Sequence, residues 1–117
     1  MNKKFLVIGN PIEHSLSPKL HNYWIKKNKL KASYDKKLLE QSEIQKLILD
    51  IREENIHGLN VTVPFKKIVI PFLDILSDEA KKSESVNTIY KKDNKIIGDN
   101  TDIEGFKKGI ESRNQVI

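Results

Sequence analysis

The sequence contains no cysteine, so disulfide bonds and thiolate metal sites are excluded. The three histidines have no metal-like spacing with one another, and they do not predict a metal site either. No stretch approaches the ~18 consecutive apolar residues of a membrane span. The first strand-like run breaks at Gly9-Asn10-Pro11, too early for a signal peptide. We therefore expect no membrane association and a cytoplasmic location.

The chain also lacks motifs for binding nucleic acids and dinucleotides. Its net charge is +5, but the lysines are spread over nearly every segment and acidic residues lie among them. Since a basic stripe and a recognised binding motif are both missing, we expect no nucleic-acid partner. The five glycines contain no G-x-G-x-x-G, the fingerprint of a dinucleotide-binding turn.

The length and composition indicate one globular domain spanning residues 1–117. Hydrophobic residues make up 38% and charged residues 32%, a balance typical of a folded domain with a charged surface. A chain of 117 residues can build its own core. It is short, however, for an enzyme that must hold both a dinucleotide and a second substrate.

Predicted strands and helices alternate along most of the chain. Strands are predicted at residues 5–8, 32–39, 58–63, 86–90 and 95–98, and the last two form a hairpin. Helices are predicted at 17–28 and 42–55, as two short pieces between 68 and 83, and from Thr101 onward. This order indicates an α/β fold of three layers. Its sheet is mostly parallel, carries one antiparallel hairpin strand, and is flanked by helices.

Helix boundaries are predicted from capping residues and from proline. Ser17-Pro18 is typical of an N-cap followed by proline in the first turn. Ser42 to Gln45 matches a capping box, and the helix after it has a stripe of apolar residues: Ile44, Leu47, Ile48 and Ile51. Pro71 is expected to separate the two short helices, and Ser77 to cap the second.

Residues 58–67 predict a buried strand that stops abruptly and leads into a helix. Alternation places Leu59, Val61 and Val63 on one face of the strand, and Asn60 and Thr62 on the other. The proline that follows suits a strand end, so the lysine at 66 begins the next element. The two polar side chains either face a ligand or simply satisfy nearby backbone groups.

Polar residues occur at the ends of several predicted elements. They are Ser15, Ser17, the segment from Asn60 to Lys66, Asn87-Thr88 and Asn100-Thr101-Asp102. In a parallel α/β domain such ends can converge on one crevice. Hydroxyls, amides, a carboxylate and an ammonium together suit a small polyhydroxylated, carboxylated ligand better than a phosphate or a metal.

Lys66 and Asp102 are the candidate catalytic residues. A lysine near a helix N-terminus, beside the second cation Lys67, lies in a positive potential that disfavours its charged form, as a general base requires. Asp102 could hydrogen-bond the same substrate hydroxyl and hold it against the lysine. Without catalysis, the helix dipole alone would explain an aspartate in a first helical turn, and capping alone would explain Ser17.

Four motifs follow one another along the chain. They are SLSP at 15–18 with His21-Asn22, NVTVPFK at 60–66, VNT at 86–88 and NTDIEGF at 100–106. They resemble the S-x-S-P, N-V-T-x-P-x-K, V-N-T and N-T-D-x-x-G-F motifs of the shikimate dehydrogenase family. Since their order and spacing agree along essentially the whole sequence, the chain resembles the N-terminal, substrate-binding domain of that family.

The resemblance implies a role for each matching residue. The residues that would contact substrate are Ser15, Ser17, Asn60, Thr62, Lys66, Asn87 and Asp102. The two serines would hold the substrate carboxylate, and the asparagines, the threonine and the aspartate would bind ring hydroxyls. Lys66 with Asp102 would form the catalytic pair that relays the proton when alcohol and ketone interconvert.

Members of the family are oxidoreductases that reversibly reduce 3-dehydroshikimate to shikimate with NADPH, on the pathway to chorismate and the aromatic amino acids. Its NADP-binding Rossmann domain follows this point, and the sequence contains no counterpart. The resemblance therefore implies a truncated domain that binds substrate and does not turn it over alone. An apolar patch of Ile103, Phe106 and Ile110 would then be exposed and could promote a homodimer.

The sequence departs from the family at one turn, and two alternative functions stay open. Glu84-Ser85 stands where the family usually has a Gly-Ala pair, so the turn before Val86 could differ if it needs a positive φ. One alternative is the domain of a related quinate/shikimate dehydrogenase. The other is a non-enzymatic small-molecule binding domain, because a fold alone does not determine function.

Overall fold

The computed structural model describes residues 3–10, 17–29 and 31–101, without the side chains of residues 17, 18, 20 and 24. The strands in these ranges are β1 (Lys3–Gly9), β2 (Ala32–Leu38), β3 (Gly58–Val61), β4 (Ile75–Leu76), β5 (Thr88–Lys92) and β6 (Lys95–Asp99). The α-helices are α1 (Ser17–Lys27), α2 (Ile44–Arg52), α3 (Phe65–Ile68) and α4 (Asp78–Ser83). Short 3-10 helices occupy Gln41–Glu43 and Ile70–Phe72.

The strands form one mixed sheet of six in the order β2-β1-β3-β5-β6-β4. β1 pairs in parallel with both β2 and β3, and β4 pairs in parallel with β6. β5 is antiparallel to both of its neighbours, β3 and β6. The predicted α/β fold, with a mostly parallel sheet and one antiparallel hairpin strand, is therefore confirmed.

Helices cover both faces of the sheet, and this gives the three predicted layers. Leu6 and Ile8 of β1 belong to the main core, which also holds the buried residues of α2, α3 and α4. Val7, which alternates with them, packs instead with Tyr34 of β2 and Ile25 of α1. The alternation of side chains along a strand thus assigns α1 to one face and the other helices to the opposite face.

The second helix has the predicted apolar stripe but different ends. Its four stripe residues are all buried. The capping box, however, is made by Glu40 and Glu43 around the 3-10 turn, and not by Ser42 with Gln45 as predicted. Glu40 N–H donates to Glu43 Oε1 at 2.9 Å, and Glu43 N–H donates to the Glu40 main-chain carbonyl at 2.9 Å. The helix ends at Arg52 rather than near Asn55, because Glu54 has a φ of 63°, which a right-handed helix cannot continue through.

The central strand β3 is shorter than predicted. It ends at Val61, and Val63 is 64% exposed instead of packing beside Leu59. The reason is a turn: Thr62 N–H donates to the Ile8 carbonyl, and the Thr62 carbonyl accepts from Phe65 N–H. Alternation stops where this turn begins, so the predicted face of Val63 was wrong. The predicted helix start beyond Pro64 is confirmed.

The region from 68 to 83 contains a strand that the sequence did not predict. The predicted cap is confirmed, because the Ser77 hydroxyl accepts from Ala80 N–H at the start of α4. Between Pro71 and Ser77, however, β4 pairs with β6 through Ile75 and Leu76. A two-residue strand has no period of its own, so only its distant partner defines it.

The hairpin of β5 and β6 turns through two residues rather than through the four predicted. Asp93 and Asn94 have φ values of 51° and 63°, the pair of left-handed residues that a tight hairpin turn requires. Lysines at 91, 92 and 95 therefore belong to the strands. Such a turn suits the right-handed twist of the flanking strands.

Some predictions lie outside the described residues. These are the helix expected from Thr101 onward and the apolar patch of Ile103, Phe106 and Ile110, and both stay predictions. None of the helices in the described ranges has the length and hydropathy needed to cross a membrane.

Glu84 adopts the left-handed conformation at the end of α4. Its φ and ψ are 52° and 40°, so the turn before Val86 has a positive φ although the residue is not glycine. A side chain in this region is strained by its Cβ, and glycine is not. We expect Glu84→Gly to raise the free energy of unfolding by about 0.5–1 kcal/mol in urea titrations. Lys81→Gly, in the interior of the same helix, should lower it; stabilisation by both or neither would contradict the explanation.

Asp74 ties β4 to the hairpin and to α2. Its Oδ2 accepts from Ile96 N–H at 2.8 Å and from the Arg52 guanidinium at 3.1 Å. The backbone bond from Ile96, followed by the bond and charge of Arg52, holds the pKa of Asp74 below its ordinary value of 3.8.

A depressed pKa in the folded state stabilises the protein above the unfolded pKa, and this stabilisation disappears as the pH falls through the folded value. Asp74→Asn should therefore lower Tm at pH 7, and the difference from the unsubstituted chain should narrow once the pH falls below 3.8. Thermal unfolding monitored by circular dichroism measures this. Asp93→Asn, in the exposed hairpin turn, is the control and should show no such pH-dependent difference. A Tm difference for Asp74→Asn that is constant with pH would disprove the charge effect.

Candidate functional site

A cleft of about 390 Å³ brings together most of the site residues predicted from the sequence. Asn60, Thr62, Lys66 and Asn87 all line it. The other lining residues described are Val7, His21, Val61, Val63 and Thr101. No aspartate or glutamate is among these lining residues, so their ionic character is cationic and suits a ligand with a carboxylate and hydroxyls.

The cleft lies at one edge of the sheet because of strand direction. The carboxyl ends of β1 and β3 meet there, as expected for parallel neighbours. Since β5 is antiparallel, its first residue, Thr88, pairs with Asn60 at the same edge, and with Asp99 at the end of β6. Asn87 thus reaches the site from the amino end of a reversed strand, and not from a carboxyl end.

Asn87 is held by a network of hydrogen bonds that its own side chain organises. Only 8% of the residue is exposed. Its Oδ1 accepts from the Thr88 hydroxyl at 2.9 Å, from Thr101 N–H at 3.0 Å and from the Thr101 hydroxyl at 3.2 Å. Because three donors already occupy the amide oxygen, Asn87 binds a ligand best as a donor, through Nδ2.

The Thr62 hydroxyl is also fixed by the protein, but it donates a hydrogen bond, whereas Asn87 Oδ1 accepts. The hydroxyl donates to the Ile8 carbonyl at 2.7 Å, so its hydrogen satisfies a nearby backbone group. A hydroxyl has one hydrogen and further lone pairs. Since the hydrogen is used, Thr62 can meet a ligand only as an acceptor, which requires a hydrogen-bond donor, such as a hydroxyl, on the ligand.

Asn60 links β3 to the adjacent strand β5 and to β2, two strands away, on one face of the sheet. Its Oδ1 accepts from the Tyr34 hydroxyl at 2.6 Å. Its Nδ2 makes two long contacts of 3.4 Å, to the Asn87 carbonyl and to Thr88 Oγ1. The oxygen end of this amide is therefore firmly bonded, and the nitrogen end is held weakly.

Lys66 lies in the four-residue helix α3, directly after the turn that ends β3. Its carbonyl accepts from Val86 N–H at 2.8 Å, and the Asn87 carbonyl accepts from Val61 N–H at 2.8 Å. These backbone bonds fasten α3 and the end of β3 to the segment that begins β5. They explain why a lysine and an asparagine 21 positions apart line one cleft.

The other predicted site residues are not placed. Ser15 and Asp102 lie outside the described residues, and for Ser17 the structure describes only the backbone at the start of α1. Asn100, which the sequence grouped with Asp102, has a structural role: its Nδ2 donates to the Ser83 hydroxyl and to the Ser85 carbonyl. Those two bonds connect the end of β6 to the turn after α4.

Two larger grooves, of about 610 and 570 Å³, lie along α2. Neither is lined by a predicted site residue. The larger groove is lined mainly by charged side chains of β1, β2 and α2. The other is lined by a mixture of apolar, polar and charged side chains, most of them from α2. We therefore regard the smaller cleft, where neutral polar groups converge, as the functional candidate.

Sequence reasoning missed the residues that support Asn60. Tyr34 was assigned only to an exposed strand, and His21 and Asn22 were named as part of a motif but given no role. In the structure Tyr34 is 4% exposed, and it contacts His21, Asn22 and Asn60. The one signal in the sequence was an aromatic residue within an otherwise polar edge strand.

Comparison with known families agrees with this geometry. Residues 7–89 match the family described as shikimate dehydrogenase substrate binding domain. The chain belongs to this family. The matched range includes Asn60, Thr62, Lys66 and Asn87, so these four residues of the cleft lie in the part of the chain that matches the family.

Relatives and solved structures extend the similarity to nearly the whole chain. A shikimate dehydrogenase (NADP(+)) of Pelagibacter ubique (strain HTCC1062) is 72% identical over 115 residues, which are 98% of this chain and 43% of that protein. A Listeria monocytogenes shikimate 5-dehydrogenase, in complex with shikimate and NAD, is 30% identical with a TM-score of 0.88, over 97% of this chain and 39% of that one. The Thermus thermophilus enzyme, in complex with NADP(H) and shikimate, is 29% identical with a TM-score of 0.85, over 96% and 42%. The chain thus spans less than half of the length of these relatives.

Proposed function

We propose that this chain, residues 1–117, is the substrate-binding domain of an NADP-dependent shikimate dehydrogenase. The whole protein would interconvert 3-dehydroshikimate and shikimate, on the way to chorismate and the aromatic amino acids. One observation carries the proposal: Asn60, Thr62, Lys66 and Asn87 meet at one cleft and lie at positions of the family motifs. Relatives named for this activity support it.

The polarity of the cleft fits a ring that carries several hydroxyls. Asn87 presents its amide nitrogen as a donor and Thr62 its oxygen as an acceptor, because Asn87 Oδ1 and the Thr62 hydroxyl hydrogen are already bonded. A hydroxyl can accept from the amide and donate to the threonine, whereas a ketone or an ether can only accept. Ser15 and Ser17 would hold the carboxylate of the substrate, and Asp102 would bind a ring hydroxyl with the two asparagines.

Lys66 would act on the hydroxyl that is oxidised. The hydroxyl proton would pass to the lysine amine, and the hydride from the same carbon would go to NADP⁺ held by the second domain of the whole protein. In the reduction the lysine returns the proton to the new alkoxide oxygen. Asp102 would hydrogen-bond the same oxygen and keep it in reach of Lys66, so that the two form the catalytic pair.

The residues described here do not fit NADP. Their glycines, Gly9, Gly58 and Gly98, all lie within strands and not in a turn between a strand and a helix, where a pyrophosphate would be bound. We therefore assign only the substrate side of the reaction to this chain. NADP would be held by a second, Rossmann-type domain of the whole protein. In support, relatives that are more than twice as long as this chain carry NADP(+) in their names.

We place the whole protein in the cytoplasm, together with the biosynthetic pathway that would supply its substrate. A homodimer is part of the same proposal, and sedimentation that finds only monomer at high concentration would contradict it.

Titration of shikimate into the isotope-labelled 117-residue chain tests the proposed ligand. We expect saturable amide shifts confined to the surroundings of Asn60, Lys66 and Asn87, because these residues line one cleft. A separate titration with NADP⁺ should shift none of them. Quinate is the comparison ligand: saturation with quinate at lower concentration than with shikimate would favour the quinate/shikimate alternative. A well-dispersed spectrum that neither ligand shifts would reject this cleft as a preformed binding site.

Replacement of Lys66 tests catalysis in the protein that carries both domains. Lys66→Ala should lower kcat by about 10²–10⁴-fold with a modest change in KM, because the general base is lost while the hydroxyl contacts remain. Lys92→Ala removes an exposed lysine at the far end of β5, outside the cleft, and should leave kcat unchanged. If Lys66→Ala keeps full turnover, the lysine is not the base. A two-domain protein that binds shikimate but never turns it over would support the non-enzymatic alternative.

A further inference from the structure

Tyr34 is a buried residue on an otherwise exposed edge strand. Its exposed fraction is 4%, whereas every other residue of β2 is half-buried or exposed. It packs with Val7 in the small core beneath α1. Burial of the ring alone would be served equally well by phenylalanine, so the hydroxyl needs a separate explanation.

Two residues of α1 hold Tyr34 in place. The His21 ring stacks on the Tyr34 ring, with centroids 4.3 Å apart and planes within 9°. The Asn22 side chain bonds the Tyr34 backbone on both sides, since Oδ1 accepts from Tyr34 N–H and Nδ2 donates to the Tyr34 carbonyl. Both the backbone and the ring are therefore constrained, which leaves the hydroxyl little freedom to move.

The constrained hydroxyl reaches the cleft through Asn60. It donates its one hydrogen to Asn60 Oδ1 at 2.6 Å, the shortest bond that this amide makes among the described contacts. A primary amide can turn over and exchange its oxygen and nitrogen ends. The donor from Tyr34 favours one of the two orientations, in which Nδ2 lies toward the Asn87 carbonyl and Thr88.

We propose that Tyr34 is a positioning residue that sets the hydrogen-bond polarity of Asn60. By occupying Oδ1, its hydroxyl makes Asn60 a donor to the substrate, so that this position takes an acceptor oxygen. The weak 3.4 Å contacts of Nδ2 are the ones that a ligand oxygen can replace. The inference deepens the proposed function and rests on it for the identity of the ligand, but the polarity of the amide can be measured without any ligand.

The first experiment follows the side-chain amide signals of Asn60 in the ligand-free labelled chain. Tyr34→Phe removes only the hydroxyl and should shift and broaden the Asn60 Nδ2 signals. Tyr90→Phe is the matched control, because Tyr90 lines the same small cavity of about 120 Å³ beside Asn60 and Tyr34. It should leave these signals in place. If Tyr34→Phe leaves the Asn60 Nδ2 signals unchanged, the proposal is wrong.

The second experiment is a double-mutant cycle on shikimate affinity. Tyr34→Phe alone should weaken binding by about five- to tenfold, the size of one well-aligned hydrogen bond. In an Asn60→Ala background it should have no further effect, since the residue it orients is gone. Additive losses would mean a merely structural role and would overturn the proposal. If the unsubstituted chain does not bind shikimate, the cleft is not a preformed shikimate site, and the amide signals alone decide this inference. They also decide it if Asn60→Ala does not fold.

Discussion

The antiparallel strand β5 pairs with β3 beside the carboxyl end of β3, and the site depends on this pairing. Asn60 and Thr88 are opposite one another in its register. The pairing brings Asn87 to the edge where β1 and β3 end, and backbone bonds from Val61 and to Lys66 then close the cleft. If β5 ran parallel to its neighbours, its first residues would lie at the opposite edge, about a strand length from Asn60.

The polar groups of the cleft are organised before any ligand binds. No buried side-chain nitrogen or oxygen in the described residues lacks a hydrogen-bond partner. Three donors occupy Asn87 Oδ1, the Thr62 hydrogen is used by Ile8, and Tyr34 occupies Asn60 Oδ1. Each remaining group therefore has one polarity, and a ligand whose hydroxyls alternate between donor and acceptor matches it. Such preorganisation lowers the cost of ordering side chains on binding.

Part of the fold could be predicted because it is encoded in local periodicity. The stripe of α2 and the apolar run of β1 each appear in consecutive residues, and both elements occur in the structure. Long-range pairing decided the rest. β4 exists only because Ile75 and Leu76 meet β6, and the face of Val63 changed because Thr62 bonds to Ile8. Glu84 likewise takes a left-handed turn that its residue type does not favour.

For the candidate site, the sequence by itself determined which residue types are present and where the family motifs lie. Asn60, Thr62, Lys66 and Asn87 were all named from spacing and resemblance, and all line the cleft. Only the tertiary structure decided how each is used. Tyr34 reaches Asn60 across 26 positions of sequence. Hydrogen-bond polarity depends on partners contributed by other strands, and no local pattern in a chain records which strand will lie beside which.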